Sequence, residues 1–139
     1  MNTAYRVWDG EQMYYYGDEG ICLSIGELGS IDGKVFGWSL WLEGYGVIAH
    51  SGDGKSVLMW HIGLLDKNNK AIYQNDFFEF ANGEKGVVEW IEDKAMYDVR
   101  NYYDPRADYP NIAFSEHAHC LGEVKGNICE NSELLEGAE

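Results

Sequence analysis

The stretch Phe36-Gly37-Trp38-Ser39-Leu40-Trp41-Leu42-Glu43 constrains the fold more than any other part of the chain. On an extended backbone, side chains two apart share a face, so Phe36, Trp38, Leu40 and Leu42 line one side while Gly37, Ser39, Trp41 and Glu43 line the other. That period is the period of a β-strand, and its apolar load predicts a strand central to a sheet.

The flanking sequence carries the same signature in shorter pieces. Tyr5-Arg6-Val7-Trp8, the Asp9-Gly10 turn and Gln12-Met13-Tyr14-Tyr15-Tyr16 predict a hairpin, because Asp-Gly between β-rich runs supplies the backbone conformation tight hairpins need. Residues 21–25 form a further short strand candidate, followed by a Gly/Ser/Asp-rich segment at 26–33 expected as a loop. Ser51-Gly52-Asp53-Gly54 predicts a turn before a strand at 57–62. Asp66-Lys67-Asn68-Asn69-Lys70 is expected as an exposed turn, since Asn tolerates positive φ. Strands are predicted at 77–80, 86–91, 96–99, 112–114 and 122–128, with a turn at Asn82-Gly83. Residues 100–111 hold both prolines, Pro105 and Pro110, and are expected as a loop. Asn131 is placed to cap a short C-terminal helix from Ser132 to about Gly137. The predicted class is mainly β, with short-stranded sheets.

With 139 residues the chain has the size of one domain, large enough to bury a core without disulfides or metal. A single domain over 1–139 is expected, with subdomains at 1–57 and 58–139. The formal net charge of −14 leaves too few cations to neutralise phosphates or to bind an anionic membrane surface. No apolar run reaches the roughly 18 residues needed to cross a bilayer, and the N-terminus has no secretory pattern. A cytoplasmic location in a bacterial host is the expectation, with neither direct nucleic-acid nor membrane binding. The cysteines, Cys22, Cys120 and Cys129, are odd in number and unpaired in spacing, so they read as reduced thiols.

The segment from Leu58 to Asp76, with Gly63-Leu64, Asp66-Lys67-Asn68-Asn69-Lys70 and Ala71-Ile72-Tyr73-Gln74-Asn75-Asp76, resembles the central signature of the YopX family. Tyr5-Arg6-Val7-Trp8-Asp9 resembles its opening motif, and Val124 to Leu135 its closing one, so the resemblance spans the chain in order. The family comprises small phage and prophage proteins without an established activity, and the resemblance implies that setting here. The family's turn glycine is Asn69 in this chain, its Glu-Gly before Asp is Gln74-Asn75, Ala71 stands where it has Glu, and Ser132 replaces a proline. The strand order after Asp76 is similar to the first half of a small SH3-like barrel, expected in the C-terminal half.

His117, His119 and Cys120 form the densest grouping of metal-ligand types, and imidazole with thiolate suits zinc. Their spacing is irregular, however, and on an extended segment Cys120 points away from both histidines. The same alternation argues against a thiol nucleophile activated by its neighbour His119. Gly52-Asp53-Gly54-Lys55-Ser56 lacks the spacing of a phosphate loop and reads as a turn. No catalytic residues and no cofactor are expected. Tyr97, Tyr102, Tyr103 and Tyr109 are candidate anchors of a protein interface, where tyrosine is enriched, with core packing as the plainer account. The carboxylates Asp18, Glu19, Glu92, Asp93, Asp98, Asp104 and Asp108 are expected in loops. They serve solubility or, on a sharper reading, imitate a phosphate array and capture a host DNA-binding protein. The leading expectation is a non-enzymatic interaction protein that self-associates through strand edges or binds a host protein; a zinc or thiol enzyme ranks last.

Overall fold

A computed structural model describes residues 4–30, 33–81, 83–91, 96–100, 111–113 and 122–131. Among these residues the regular structure is entirely β: β1 (Tyr5–Trp8), β2 (Met13–Tyr15), β3 (Ile21–Ser30), β4 (Gly33–Leu42), β5 (Gly46–His50), β6 (Val57–Leu65), β7 (Ala71–Tyr73), β8 (Asp76–Phe80), β9 (Lys85–Ile91), β10 (Met96–Arg100), β11 (Asn111–Ala113) and β12 (Gly122–Asn127). The chain divides into two compact units, one of Ala4–Met59 and one from Trp60 onward.

In the first unit, β1 and β2 pair antiparallel with Val7 opposite Tyr14. Their turn is held by the Asp9 carboxylate, which accepts the N–H groups of Glu11 and Gln12 at 2.8 and 2.7 Å. Gly10 has φ +106°, and a Cβ there would stand 3.1 Å from the Lys55 side chain, so both conformation and space call for glycine. The predicted central strand lies between two partners in the order β3-β4-β5. Leu40 is fully buried, as are Val7, Ala49 and Met59 in the same unit.

The loop expected at 26–33 is not what forms. β3 continues to Ser30, and its register with β4 runs unbroken from Ile21↔Leu42 to Ser30↔Gly33. Gly and Ser weaken a strand locally, but a long partner such as β4 supplies the ladder that local composition does not encode.

The second unit contains β7 and a five-stranded antiparallel sheet, β11-β10-β9-β8-β12. Its core is Ile72, Phe78, Phe80, Val88 and Val99, with Ile62, Leu64, Tyr97 and Val124 packed against it. Phe78 and Phe80 lie two apart on β8 and meet edge to face at 4.9 Å. Phe77, on the other side of β8, is also buried and stands opposite Val87. β8 is therefore buried on both faces and flanked by β9 and β12. Gly122 opens β12 opposite Phe80. A Cβ at Gly122 would lie 2.5 Å from the Phe78 ring and 2.7 Å from the Glu79 carbonyl oxygen, so only glycine lets the two strands close. Residues 132–137, where a helix is expected, lie outside the described residues.

Candidate functional site

The residues that carry the family-like signature serve the backbone. Asp66 is 4% exposed although its turn is on the surface. One carboxylate oxygen accepts the N–H groups of Asn68 and Lys70 at 2.8 and 2.9 Å, and the other accepts that of Val124 on β12 at 2.9 Å. Burial works against its ionisation, but the N–H groups of Val124, Lys70 and Asn68 and the charge of Lys70 outweigh it and hold the carboxyl below its usual range. The Lys67 N–H donates to the Gly122 carbonyl at 2.9 Å, so the turn is fastened to β12 twice. Ten residues on, Asp76 is buried and accepts the Tyr73 N–H at 2.8 Å.

The departures from the family signature fit this architecture. Asn69 and Asn75, which replace glycines, have φ of 63° and 70°, the left-handed region where Asn is the best substitute for Gly. Gln74, which replaces a glutamate, accepts the Trp60 N–H through Oε1 at 2.9 Å, a role a carboxylate oxygen fills equally well. At the C-terminal end, Asn127 Oδ1 accepts the N–H groups of Cys129 and Glu130 at 3.0 and 2.8 Å and closes the turn after β12.

The glycine-rich segment 52–56 is closed to an external anion in the same way. Asp53 accepts the N–H groups of Lys55 and Ser56 at 3.0 and 2.7 Å, that of His50 at 3.3 Å, and the Ser56 hydroxyl. The Ser56 hydroxyl, working against burial and joined by the N–H groups of Lys55, Ser56 and His50, holds the Asp53 carboxyl well below the usual carboxylate range. The loop thus supplies its own anion where a phosphate loop would bind one.

An open groove of about 700 Å³ runs beside this turn, along the β3-β4-β5 sheet. Residues opposite one another in the ladder share a face. Gly26 faces Gly37; the next row is Ser24, Ser39 and His50; the row after it is Cys22, Trp41 and Val47. Ser24, Gly26, Gly37, Ser39, Val47 and His50 line the groove, and His50 Nδ1 accepts the Gly52 N–H at 3.1 Å. When neutral, His50 therefore carries its proton on Nε2 and offers a donor. Ser39 and His50 share a row without a hydrogen bond between them, and Asp53 is committed to the turn, so the three do not form a nucleophilic triad.

Of the sequence-selected candidates, His117, His119, Cys120, Tyr102, Tyr103 and Tyr109 lie outside the described residues. Among the described residues, no three His, Cys, Asp or Glu side chains gather around a metal-sized site, and Cys22 and Cys129 are free thiols. Tyr97 is half-buried against the core and meets Trp90 edge to face at 5.0 Å; burial raises its hydroxyl pKa. Trp90, 45% exposed, is the more accessible half of that pair, although strand alternation does not mark it as a surface residue. Of the carboxylates expected in loops, Asp98 departs from that expectation and Asp18 meets it. Asp98 is fully buried within β10 opposite Glu89, because the strand directs it away from solvent. Asp18 accepts the Tyr15 N–H at 2.8 Å and closes a turn.

Antiparallel sheets, turns tied by Asp and Asn side chains, and a side-chain-poor groove define a small, mainly β protein whose signature residues maintain the fold. The chain belongs to the YopX family: the family model described as YopX protein matches residues 4–136. It is 33% identical over 141 residues to the SPbeta prophage-derived uncharacterized protein YopX of Bacillus subtilis (strain 168), covering 100% of both chains. The crystal structure of YopX from Bacillus subtilis superposes with a TM-score of 0.64 at 30% identity over the full length of both. Protein EF1440 from Enterococcus faecalis shares the fold, with a TM-score of 0.55 at 16% identity over 95% of this chain and 96% of that one.

Proposed function

We propose that this chain is a phage or prophage accessory protein that acts in the bacterial cytoplasm by binding another protein, without catalysis of its own. The observation that carries the reading is the apolar surface left on the β3-β4-β5 sheet. Trp41 and Val47 are exposed in one row of its groove face, and Tyr45, in the β4–β5 turn beside them, is 82% exposed. Exposed aromatic and aliphatic side chains gathered on one face are the mark of an interaction surface, with Trp and Tyr as the usual anchors. The commitment of Asp9, Asp18, Asp53, Asp66 and Asp76 to backbone N–H groups supports it from the other side, because these carboxylates are engaged in holding turns. The second unit is read as an SH3-like half-barrel, an analogy of strand order alone.

Site-specific photo-crosslinking in bacterial cells tests the proposal. A photoreactive phenylalanine in place of Tyr45 or Trp41 is expected to give a discrete heavier adduct, whereas the same group at the exposed Lys85 in the other unit gives none. Identical diffuse labelling at all three positions would refute the reading.

A further inference from the structure

β3 is an end strand of its sheet and pairs with β4 over its whole length, from Ile21 to Ser30. Among the described residues no strand pairs with its outer edge, which there presents backbone N–H and C=O groups in a long row. Proteins ordinarily blunt such an edge with Lys, Pro, an inward charge or a bulge. None of these occurs from Ile21 to Gly26, where Ile25 is 53% exposed and the register is continuous. The opposite edge, β5, is half as long and carries a register shift, so one edge of the sheet is guarded and the other is open.

Gly26 adds a second, independent observation. Its φ is not in the left-handed region, and a Cβ at this position would meet nothing within 4 Å. Neither conformation nor crowding requires glycine there, although glycine weakens a strand. A glycine in such a position marks a place where another backbone or a flat group approaches closely, and an aromatic ring on an adjacent strand is the known complement of an edge glycine. Charge selects the occupant. Asp18 and Glu19 precede β3, Glu27 lies within it, and Glu43 is brought beside its start by the 2.9 Å bond from the Glu43 N–H to the Gly20 carbonyl. With a net charge of −14 overall, a second copy is repelled and a cationic strand attracted.

We propose that the β3 edge takes up an extended, cationic segment of another protein as an added strand, with an aromatic side chain of that segment covering the exposed Gly26. This rests on the binding role proposed above and names the partner's chemistry. Main-chain hydrogen bonds supply affinity in this mode, and the alternate side chains supply specificity.

The test uses the full chain and a synthetic ten-residue peptide of alternating Lys and Val with one Val replaced by Phe, read by fluorescence anisotropy. The peptide is expected to bind and to weaken with added salt. N-methylation of every second backbone nitrogen should abolish binding, and replacing Phe by Ala should weaken it by about tenfold. In Gly26→Val, which should remain folded because its side chain enters open space, the Phe and Ala peptides should bind alike. Undiminished binding of the N-methylated peptide would overturn strand addition, and a Phe advantage that persists in Gly26→Val would overturn the groove. Dimerisation of the chain that the peptide does not compete would assign the edge to a second copy instead. A discrete crosslink at Tyr45 without any peptide binding would sink this proposal and leave the broader binding role standing.

Discussion

Replacing Asp66 by alanine removes the acceptor of three N–H groups while leaving every apolar contact of the core in place. Asn68 and Lys70 are exposed, so their N–H groups turn to water at a cost of about 0.5 kcal/mol each. The Val124 N–H is held between the turn and β12 and loses a charge-assisted bond, which costs about 2 kcal/mol. The expected destabilisation is about 3 kcal/mol, or a fall of about 1.5 M in the urea midpoint at a slope typical of this size. Asp66→Asn keeps one carbonyl oxygen for the turn but sets an amide N–H against the Val124 N–H or leaves it unpaired, so about half the loss is expected. The pH dependence has a definite sign. The folded-state pKa lies below the unfolded value, so the stabilisation is fully present above about pH 4 and is lost as pH falls through the folded value. Urea titrations followed by tryptophan fluorescence at pH 7 and pH 3.5 measure both effects, and the difference between wild type and Asp66→Asn should narrow at the lower pH. An Asp66→Ala midpoint equal to wild type would refute the claim that this residue fastens the turn to β12.

His61 lies edge to face with Tyr73 at 5.4 Å, and burial lowers its pKa despite a bond to the Leu64 backbone that favours the charged form. Its neutral form is therefore preferred in the fold: stability should decline as pH falls below about 6.5, and His61→Phe should flatten thermal midpoints between pH 7 and 5. Gly122→Ala forces a Cβ into the Phe78 ring and the Glu79 carbonyl and should cost about 2 kcal/mol or more in thermal unfolding. Gly26→Ala, which meets open space, should be neutral or slightly stabilising in the same assay; equal losses in the two variants would contradict the packing described at β12.

The sequence by itself determined the β class, the period-two strand through Trp38 and Leu40, and the turns at Asp9-Gly10, at 51–54 and at 66–70. These are matters of local backbone preference: alternation writes a strand, and Gly, Asp or Asn at a corner writes the conformation that reverses it. The positive φ at Asn69 was legible for the same reason. Tertiary structure alone decided the rest. Nothing near Asp66 in the chain announces a bond to Val124, nothing near Gly122 announces the Phe78 ring, and the composition of 26–30 reads as loop until β4 is laid beside it. The groove is of the same kind, since Ser24, Ser39 and His50 become a row only through pairing register. Register and strand order are set by contacts between residues far apart in sequence, where burial of shared apolar faces outweighs what each segment prefers alone.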